Sequence, residues 1–282
     1  MRISVVIPAY NEAGNITRLV VETLAVLPES LLGEIVVVDD CSDDGTGAEL
    51  RALADPRLRV LRHGRRAGQS AALRNGIRAA ACPVIVTMDG DGQNDPADIA
   101  ALVRRLASAE GGAPALVGGV RAKRRAVGSR RLASRFANGL RGALLADECP
   151  DTGCGIKAFR RAAFLDLPYF STMHRYLPAL FLSYGHKVAY VPVNDRPRVA
   201  GQSKYTNLGR ALVGLYDLFG VVWLRRRSVL PPVSEESRPA LGLRTARGVE
   251  AGIAGAASNV ETPAFGEAPA VRMAAAVSSP AH

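Results

Sequence analysis

Val84-Ile85-Val86-Thr87-Met88-Asp89-Gly90-Asp91-Gly92-Gln93-Asn94-Asp95-Pro96 is the stretch on which the reading of this 282-residue chain turns. Its apolar, β-branched start reads as a buried strand. It ends in two carboxylates one residue apart, with a carboxamide two residues further on. Asp89 and Asp91 share a side-chain parity, so at an extended strand end both can face one point. Gly90 and Gly92 let the backbone turn tightly there. Carboxylate and amide oxygens are hard ligands, suited to Mg²⁺ or Mn²⁺ rather than zinc. Such an ion keeps positions open that phosphate oxygens can fill, which points to a metal–diphosphate site at a strand end. The plainer alternative is a polar turn followed by an Asn-Asp-Pro helix start.

Outward from this stretch, apolar runs alternate with amphipathic segments. Strands are expected at Ile3 to Ile7, Glu34 to Asp39, Leu58 to Leu61, Val84 to Met88 and Ala115 to Gly119. Helices are expected at Asn15 to Leu27, Gly45 to Ala54, Gln69 to Ala81 and Pro96 to Ala107. This rhythm predicts an α/β fold, a mostly parallel twisted sheet with helices on both faces. Ligands in such folds bind beyond the carboxyl ends of the strands. Three motifs sit there: Pro8-Ala9-Tyr10-Asn11-Glu12, Asp39-Asp40 and Asp89-Gly90-Asp91. The first lacks the glycine-rich turn of a dinucleotide-binding fold. Tyr10 and Glu12 instead offer a ring and a carboxylate to a base or ribose, and Asp39 can accept from a base N–H or a ribose hydroxyl. Each could equally be an ordinary polar strand end.

After residue 120 the order changes. A basic helical segment is expected over about 129 to 145, a short strand at Ile156 to Phe159, a helix including Tyr176 to Ser183, and a strand at Lys187 to Val193. The net charge is +10. Much of the excess lies in Arg121, Lys123, Arg124, Arg125, Arg130, Arg131, Arg135 and Arg141, a stretch without an acid. Diphosphate ligands, anionic lipid or nucleic acid would all suit such a patch. The scarcity of aromatics among these arginines argues against a base-stacking nucleic-acid surface. Cys41, Cys82, Cys149 and Cys154 form no C-x-x-C pair, which argues against zinc and for reduced thiols in a cytosolic protein. The chain opens directly on a strand, with no signal-peptide pattern. The segment Leu208 to Leu224 contains Arg210 and Asp217 and runs into Arg225-Arg226-Arg227. It reads as an amphipathic helix on a membrane surface, with Leu208, Leu212, Leu215, Phe219 and Val222 on one apolar face, or as a helix packed on the protein's own core. From residue 231 the composition shifts to Ala, Gly, Ser, Pro and Glu, which reads as a disordered tail.

Taken in order, Val5-Val6-Ile7-Pro8-Ala9-Tyr10-Asn11-Glu12, Val37-Val38-Asp39-Asp40-Cys41-Ser42-Asp43-Asp44-Gly45-Thr46 and Asp89-Gly90-Asp91-Gly92-Gln93 resemble glycosyltransferase family 2. Met88 to Pro96 and Arg198-Val199-Ala200-Gly201-Gln202-Ser203-Lys204-Tyr205 narrow the resemblance to polyprenyl-phosphate sugar synthases of the dolichol-phosphate mannose synthase type. It covers about residues 1 to 225. It implies the GT-A fold with a Rossmann-like nucleotide-binding half over about 1–120, an acceptor-side half over about 121–207, the amphipathic helix at about 208–227, and the tail at 231–282, outside a 1–230 domain.

The resemblance also implies roles. Pro8, Tyr10, Glu12 and Asp39 would hold the nucleoside. Asp89, Asp91 and Gln93 would hold Mg²⁺ or Mn²⁺, with Asp89 and Gly90 also meeting the nucleotide sugar. Arg121 would reach donor or acceptor phosphate. Arg198 and Lys204 would bind phosphate on a glycine-containing loop able to close over an anionic substrate. Asp151, in Asp151-Thr152-Gly153-Cys154-Gly155, would orient the acceptor or brace its turn. His174-Arg175-Tyr176 matches a segment of bacterial members of this type. The absence of a Gln-x-x-Arg-Trp motif argues against chain polymerisation. Three functions follow. The first is metal-dependent, inverting sugar transfer from a nucleotide-diphosphate donor, GDP-mannose or a UDP-sugar, to a polyprenyl phosphate. The second is transfer to a glycan or glycolipid hydroxyl with Asp151 as base. The third is a non-catalytic nucleotide-sugar or anionic-membrane binding module. The first places the protein in the cytoplasm, peripheral on the inner face of the cell membrane.

Overall fold

The computed structural model of the chain describes residues 1–110, 112–121, 141–142, 144–145, 147, 149–197 and 207–228, which fall within one compact unit, Met1–Pro231. Arg198, Lys204, most of the basic segment and the tail from 231 lie outside the described residues.

The elements run β1 (Ile3–Ala9), α1 (Ile16–Val26), β2 (Leu32–Asp39), α2 (Thr46–Ala52), β3 (Leu58–Arg62), α3 (Gln69–Ala79), β4 (Val84–Thr87), a 3-10 turn at Pro96–Asp98 leading into α4 (Ile99–Ala107), and β5 (Leu116–Arg121). There follow β6 (Lys157–Arg160), α5 (Arg161–Leu165), a 3-10 turn at Met173–Arg175, α6 (Leu177–Ser183), β7 (Val188–Val193) and α7 (Asn207–Arg227). Seven strands form one sheet in the order β3-β2-β1-β4-β6-β5-β7. All pairings are parallel except those of β6, which runs antiparallel to both β4 and β5. The expected mixed α/β sheet is therefore present. The short helix α5 and the turn at Met173 were not foreseen, because five or fewer residues carry too little periodicity to register.

Side-chain parity along the strands builds two cores. Ile3, Val5, Ile7 and Ala9 of β1 face one side, packing with Ile16, Leu19 and Val20 of α1 and Leu102 and Leu106 of α4. Val6, Val36 and Val38 face the other, packing with Ala72, Leu73 and Ile77 of α3. That second core extends through Phe159, Phe164 and Phe181 to Leu218 and Val221 of α7. Each fully buried Val, Leu, Ile or Phe contributes on the order of 1.5–3 kcal/mol, so α7 is held by real packing. Of the expected stripe, the side chains of Leu208, Leu212 and Leu215 lie outside the described ones. Phe219 stands 58% exposed and Val222 is only partly buried, while Leu218 and Val221 are the residues that enter the core. Arg225 also departs from expectation. It donates to Ser183 Oγ at 2.6 Å and to the carbonyl of Leu145, so it turns inward rather than toward a surface ligand.

The sheet order reverses direction around β1 and β4. Their carboxyl ends mark the switch point, the location where open parallel sheets bind ligands.

Candidate active site at the carboxyl ends of the strands

At the end of β4, the backbone N–H of Asp89 donates to Asn94 Oδ1 at 2.9 Å, and Asp91 Oδ1 accepts from Gln93 N at 3.1 Å. Gly92 turns the loop with φ +74°. Gly90 lies so close to β1 that a Cβ there would sit 2.9 Å from the Pro8 carbonyl oxygen. The turn thus holds Asp89 and Asp91 against the end of β1. Gln69, the first residue of α3, donates to Asp89 Oδ1 at 2.8 Å. Burial raises the Asp89 pKa, as does the negative charge of Asp91, while Lys157, Gln69 and Arg121 oppose the rise. A buried carboxylate driven toward protonation beside a second negative charge is an arrangement that a hard divalent cation relieves. Among the described residues, no group of three or more His, Cys, Asp or Glu side chains is placed to hold a metal. Carboxylate and carboxamide oxygens, as at Asp89, Asp91 and Gln93, are hard donors of the kind Mg²⁺ and Mn²⁺ take.

Gly155, just before β6, makes room for Asp89. A Cβ at this position would fall inside the Asp89 carboxylate, and the Gly155 carbonyl accepts from Thr87 Oγ1 at 2.9 Å. Lys157 of β6 is buried, and its ammonium donates to the Cys154 carbonyl. Neither residue was singled out from sequence. The lone lysine between Ile156 and Ala158 was the available signal.

The nucleoside candidates sit on interlocked loops. Glu12 N donates to Thr46 Oγ1 at 2.8 Å and Asn11 N to Ser42 Oγ at 3.0 Å, which joins the turns after β1 and β2. Pro8 lies within β1, and the Tyr10 ring is covered by Arg66, 4.0 Å from guanidinium carbon to ring centre. Asp39 is buried. Its oxygens accept from Ser42 N at 2.8 Å and Arg62 Nη1 at 2.5 Å. Asp40 gathers the loop before α3, meeting His63 Nδ1 at 2.7 Å, Ala67 N at 2.8 Å and Gly68 N at 2.7 Å.

Arg121 and Asp151 meet each other. Arg121 donates from Nε at 2.6 Å and Nη2 at 2.8 Å to the two Asp151 oxygens, a bidentate pair that raises the guanidinium pKa further. Gly153 N adds a bond to Asp151 Oδ1 at 3.2 Å, so the carboxylate braces its own turn as well as holding Arg121. Arg196 is a residue the sequence reading passed over. It pairs with Glu22 at 2.7 Å and Asp95 at 2.7 Å, and its backbone exchanges hydrogen bonds with Gln93. The segment leading to Arg198 and Lys204 is thereby rooted on the carboxylate turn.

His174 packs beneath the start of α3, its Nδ1 2.8 Å from Ser70 Oγ. Burial, reinforced by the charges of Lys157 and Arg175, lowers its pKa to about 3. The folded value lies below the unfolded one, so the folded state resists protonation and stability falls as pH drops from about 6.5 toward 3. Between pH 7 and pH 5 the loss from this residue is expected to be about 2 kcal/mol. Urea unfolding across that range checks it. His174→Gln should flatten the slope, and an unchanged slope would show that His174 is not held neutral.

The model of the family described as "Glycosyl transferase family 2" matches residues 4–167. The chain belongs to glycosyltransferase family 2. Among curated relatives, the dodecaprenyl-phosphate galacturonate synthase of Rhizobium johnstonii is 30% identical over 237 residues, 82% of this chain and 69% of the relative. The undecaprenyl-phosphate 4-deoxy-4-formamido-L-arabinose transferase of Edwardsiella ictaluri is 33% identical over 222 residues, 77% of this chain and 66% of the relative. The chain thus spans about two thirds of the length of these family 2 enzymes. The glucosyl-3-phosphoglycerate synthase of Mycobacterium tuberculosis, solved with Mn²⁺, uridine diphosphate and glucosyl-3-phosphoglycerate, shares the fold. Its TM-score is 0.61 at 21% identity, covering 82% of this chain and 81% of that one. The same enzyme with Mg²⁺ and uridine diphosphate gives a TM-score of 0.62 at 21% identity, covering 82% and 80%. The fold of this family 2 chain is the GT-A fold of glycosyltransferases.

Proposed function

We propose that the chain transfers a sugar from a nucleotide-diphosphate donor to a polyprenyl phosphate, with inversion at the anomeric carbon and with Mg²⁺ or Mn²⁺ bound. The observation that carries the reading is the turn at the end of β4, where Asn94 holds the Asp89 N–H, Gln69 bonds the Asp89 carboxylate and Gly90 packs against Pro8, in a family 2 fold. The names of the curated relatives, which act on dodecaprenyl and undecaprenyl phosphates, support the choice of acceptor. Asp89, Asp91 and Gln93 would hold the ion, which when bound would offset charge on the leaving diphosphate. Pro8, Tyr10, Glu12 and Asp39 would face the nucleoside. The acceptor phosphate oxygen forms the new bond to the anomeric carbon as the bond to the diphosphate breaks. A phosphate monoester with a second pKa of about 6 arrives largely ionised and needs little general base.

That last point separates the competing reading. A hydroxyl acceptor requires a base, and Asp151 is the candidate. Both of its oxygens already accept from Arg121, which suits a residue that positions a cation rather than one that takes a proton. We therefore assign Asp151 to holding Arg121 toward the phosphates. A non-catalytic binding module is disfavoured by the family and by its enzyme relatives. Donor consumption measured with polyprenyl phosphate, free sugars or water, each with and without Mn²⁺, tests all three. Consumption only with a hydroxyl acceptor would overturn the phosphate reading.

Arg198 and Lys204 would close over the leaving diphosphate. Lys204→Ala is expected to slow transfer by at least about tenfold, and Arg198→Ala likewise, the scale of losing one cation at growing negative charge. Normal turnover by both variants would make the loop a surface feature. The segment from 231 is proposed to be dispensable. Ending the chain after Leu230 should leave the melting temperature and the rate unchanged, and aggregation of that product would count against it.

A further inference from the structure

Three large apolar side chains stand exposed on one side of α7: Tyr216 at 82%, Phe219 at 58% and Trp223 at 63%. At about 100° per residue, Tyr216, Phe219, Trp223 and the exposed Arg227 fall within an arc of about 80°. Exposed Arg226 borders that arc. The opposite side of the helix is already committed, with Leu218 and Val221 in the core and Arg225 bonded to Ser183. The stripe is therefore a second face, left outward after the packing of the helix is complete. Its composition identifies its partner. Tyr and Trp combine an apolar body with a polar edge and favour the water–hydrocarbon boundary of a bilayer. Two exposed arginines at the end of the stripe match anionic head groups. The one acid of α7, Asp217, lies off the stripe and accepts from Thr172 Oγ1 at 2.7 Å, so it does not repel such a surface. No helix among the described residues is long and apolar enough to cross a membrane.

We infer that the Tyr216–Phe219–Trp223 face of α7, with Arg226 and Arg227, is a docking surface for an anionic lipid bilayer. This deepens the proposed lipid-acceptor reading and rests on it for its purpose, though not for its test. A short path of contacts joins the face to the site. Thr172 bonds Asp217 and the Tyr176 hydroxyl donates to the Gly214 carbonyl at 3.1 Å, tying α7 to the Met173–Arg175 turn. His174 of that turn meets Ser70, and the neighbouring Gln69 donates to Asp89.

Trp223 is the only tryptophan in the chain and reports on its own environment. The full-length protein is titrated with vesicles of phosphatidylcholine containing phosphatidylglycerol. Trp223 emission is expected to shift to the blue and to be quenched by acyl-brominated lipid, with weaker binding to pure phosphatidylcholine. Arg226→Glu with Arg227→Glu should weaken partition at least about tenfold, since each cation contributes about 1 kcal/mol near an anionic surface. Tyr216→Ser with Phe219→Ser should weaken it while keeping the reporter. Emission unchanged by vesicles overturns the assignment, as does a blue shift that appears without vesicles and disperses on dilution, which would place a second copy of the chain on this face. Transfer to a short, water-soluble isoprenyl phosphate in vesicle-free buffer is measured separately. Transfer with a vesicle-blind Trp223 removes the docking surface alone. Docking without transfer sustains the surface and removes the transfer reading.

Discussion

Asp91→Ala is expected to lower sugar transfer by roughly a thousandfold or more, about 4 kcal/mol of transition-state stabilisation, while the protein stays folded. Asp91 sits on a turn shaped by Gly92 at positive φ and by Asn94 holding the Asp89 N–H, and its own carboxylate adds only the bond from Gln93 N at 3.1 Å. Losing that carboxylate removes a charge that pushes Asp89 toward protonation, so the fold should tolerate it. What would be lost is one of the two carboxylates proposed to hold the ion. EDTA should silence the wild type in the same way, with Mg²⁺ or Mn²⁺ restoring it. Asp91→Ala running at full rate in chelator would end the metal assignment, whatever the acceptor proves to be.

Gly155→Ala is expected to cost about a hundredfold in rate, the scale of a misplacement of about 1 Å at a reacting centre. The glycine is required for space. A methyl group at 155 would occupy the position of the Asp89 carboxylate, so that carboxylate must swing away or the β4–β6 junction, where Thr87 bonds the Gly155 carbonyl, must open. The two responses read out differently. A displaced carboxylate raises the Mn²⁺ concentration needed for half-maximal rate, and an opened junction lowers the melting temperature. A variant with both the wild-type rate and the wild-type Mn²⁺ requirement would show that Asp89 does not need its present position.

Local pattern was enough to place the strands in order and to mark the strand ends that carry the carboxylates. Parity along β1 and β4 decides which side chains enter each core, and a run such as Val84 to Thr87 can only be satisfied by burial on both faces. Asp89 and Asp91 lie past Thr87, the last residue of β4, so their placement follows from the turn at Gly92 rather than from strand parity. The tertiary structure alone decided which partners those residues keep. Asp151 holds Arg121 across 30 residues, Thr87 meets Gly155 across 68, and Ser70 meets His174 across 104. The antiparallel course of β6 and the turning of Arg225 inward while Arg226 and Arg227 face outward belong to the same class. Local pattern reports which face of an element is apolar. It does not report which distant element arrives to cover that face, because that choice depends on how both cores and the sheet order close together.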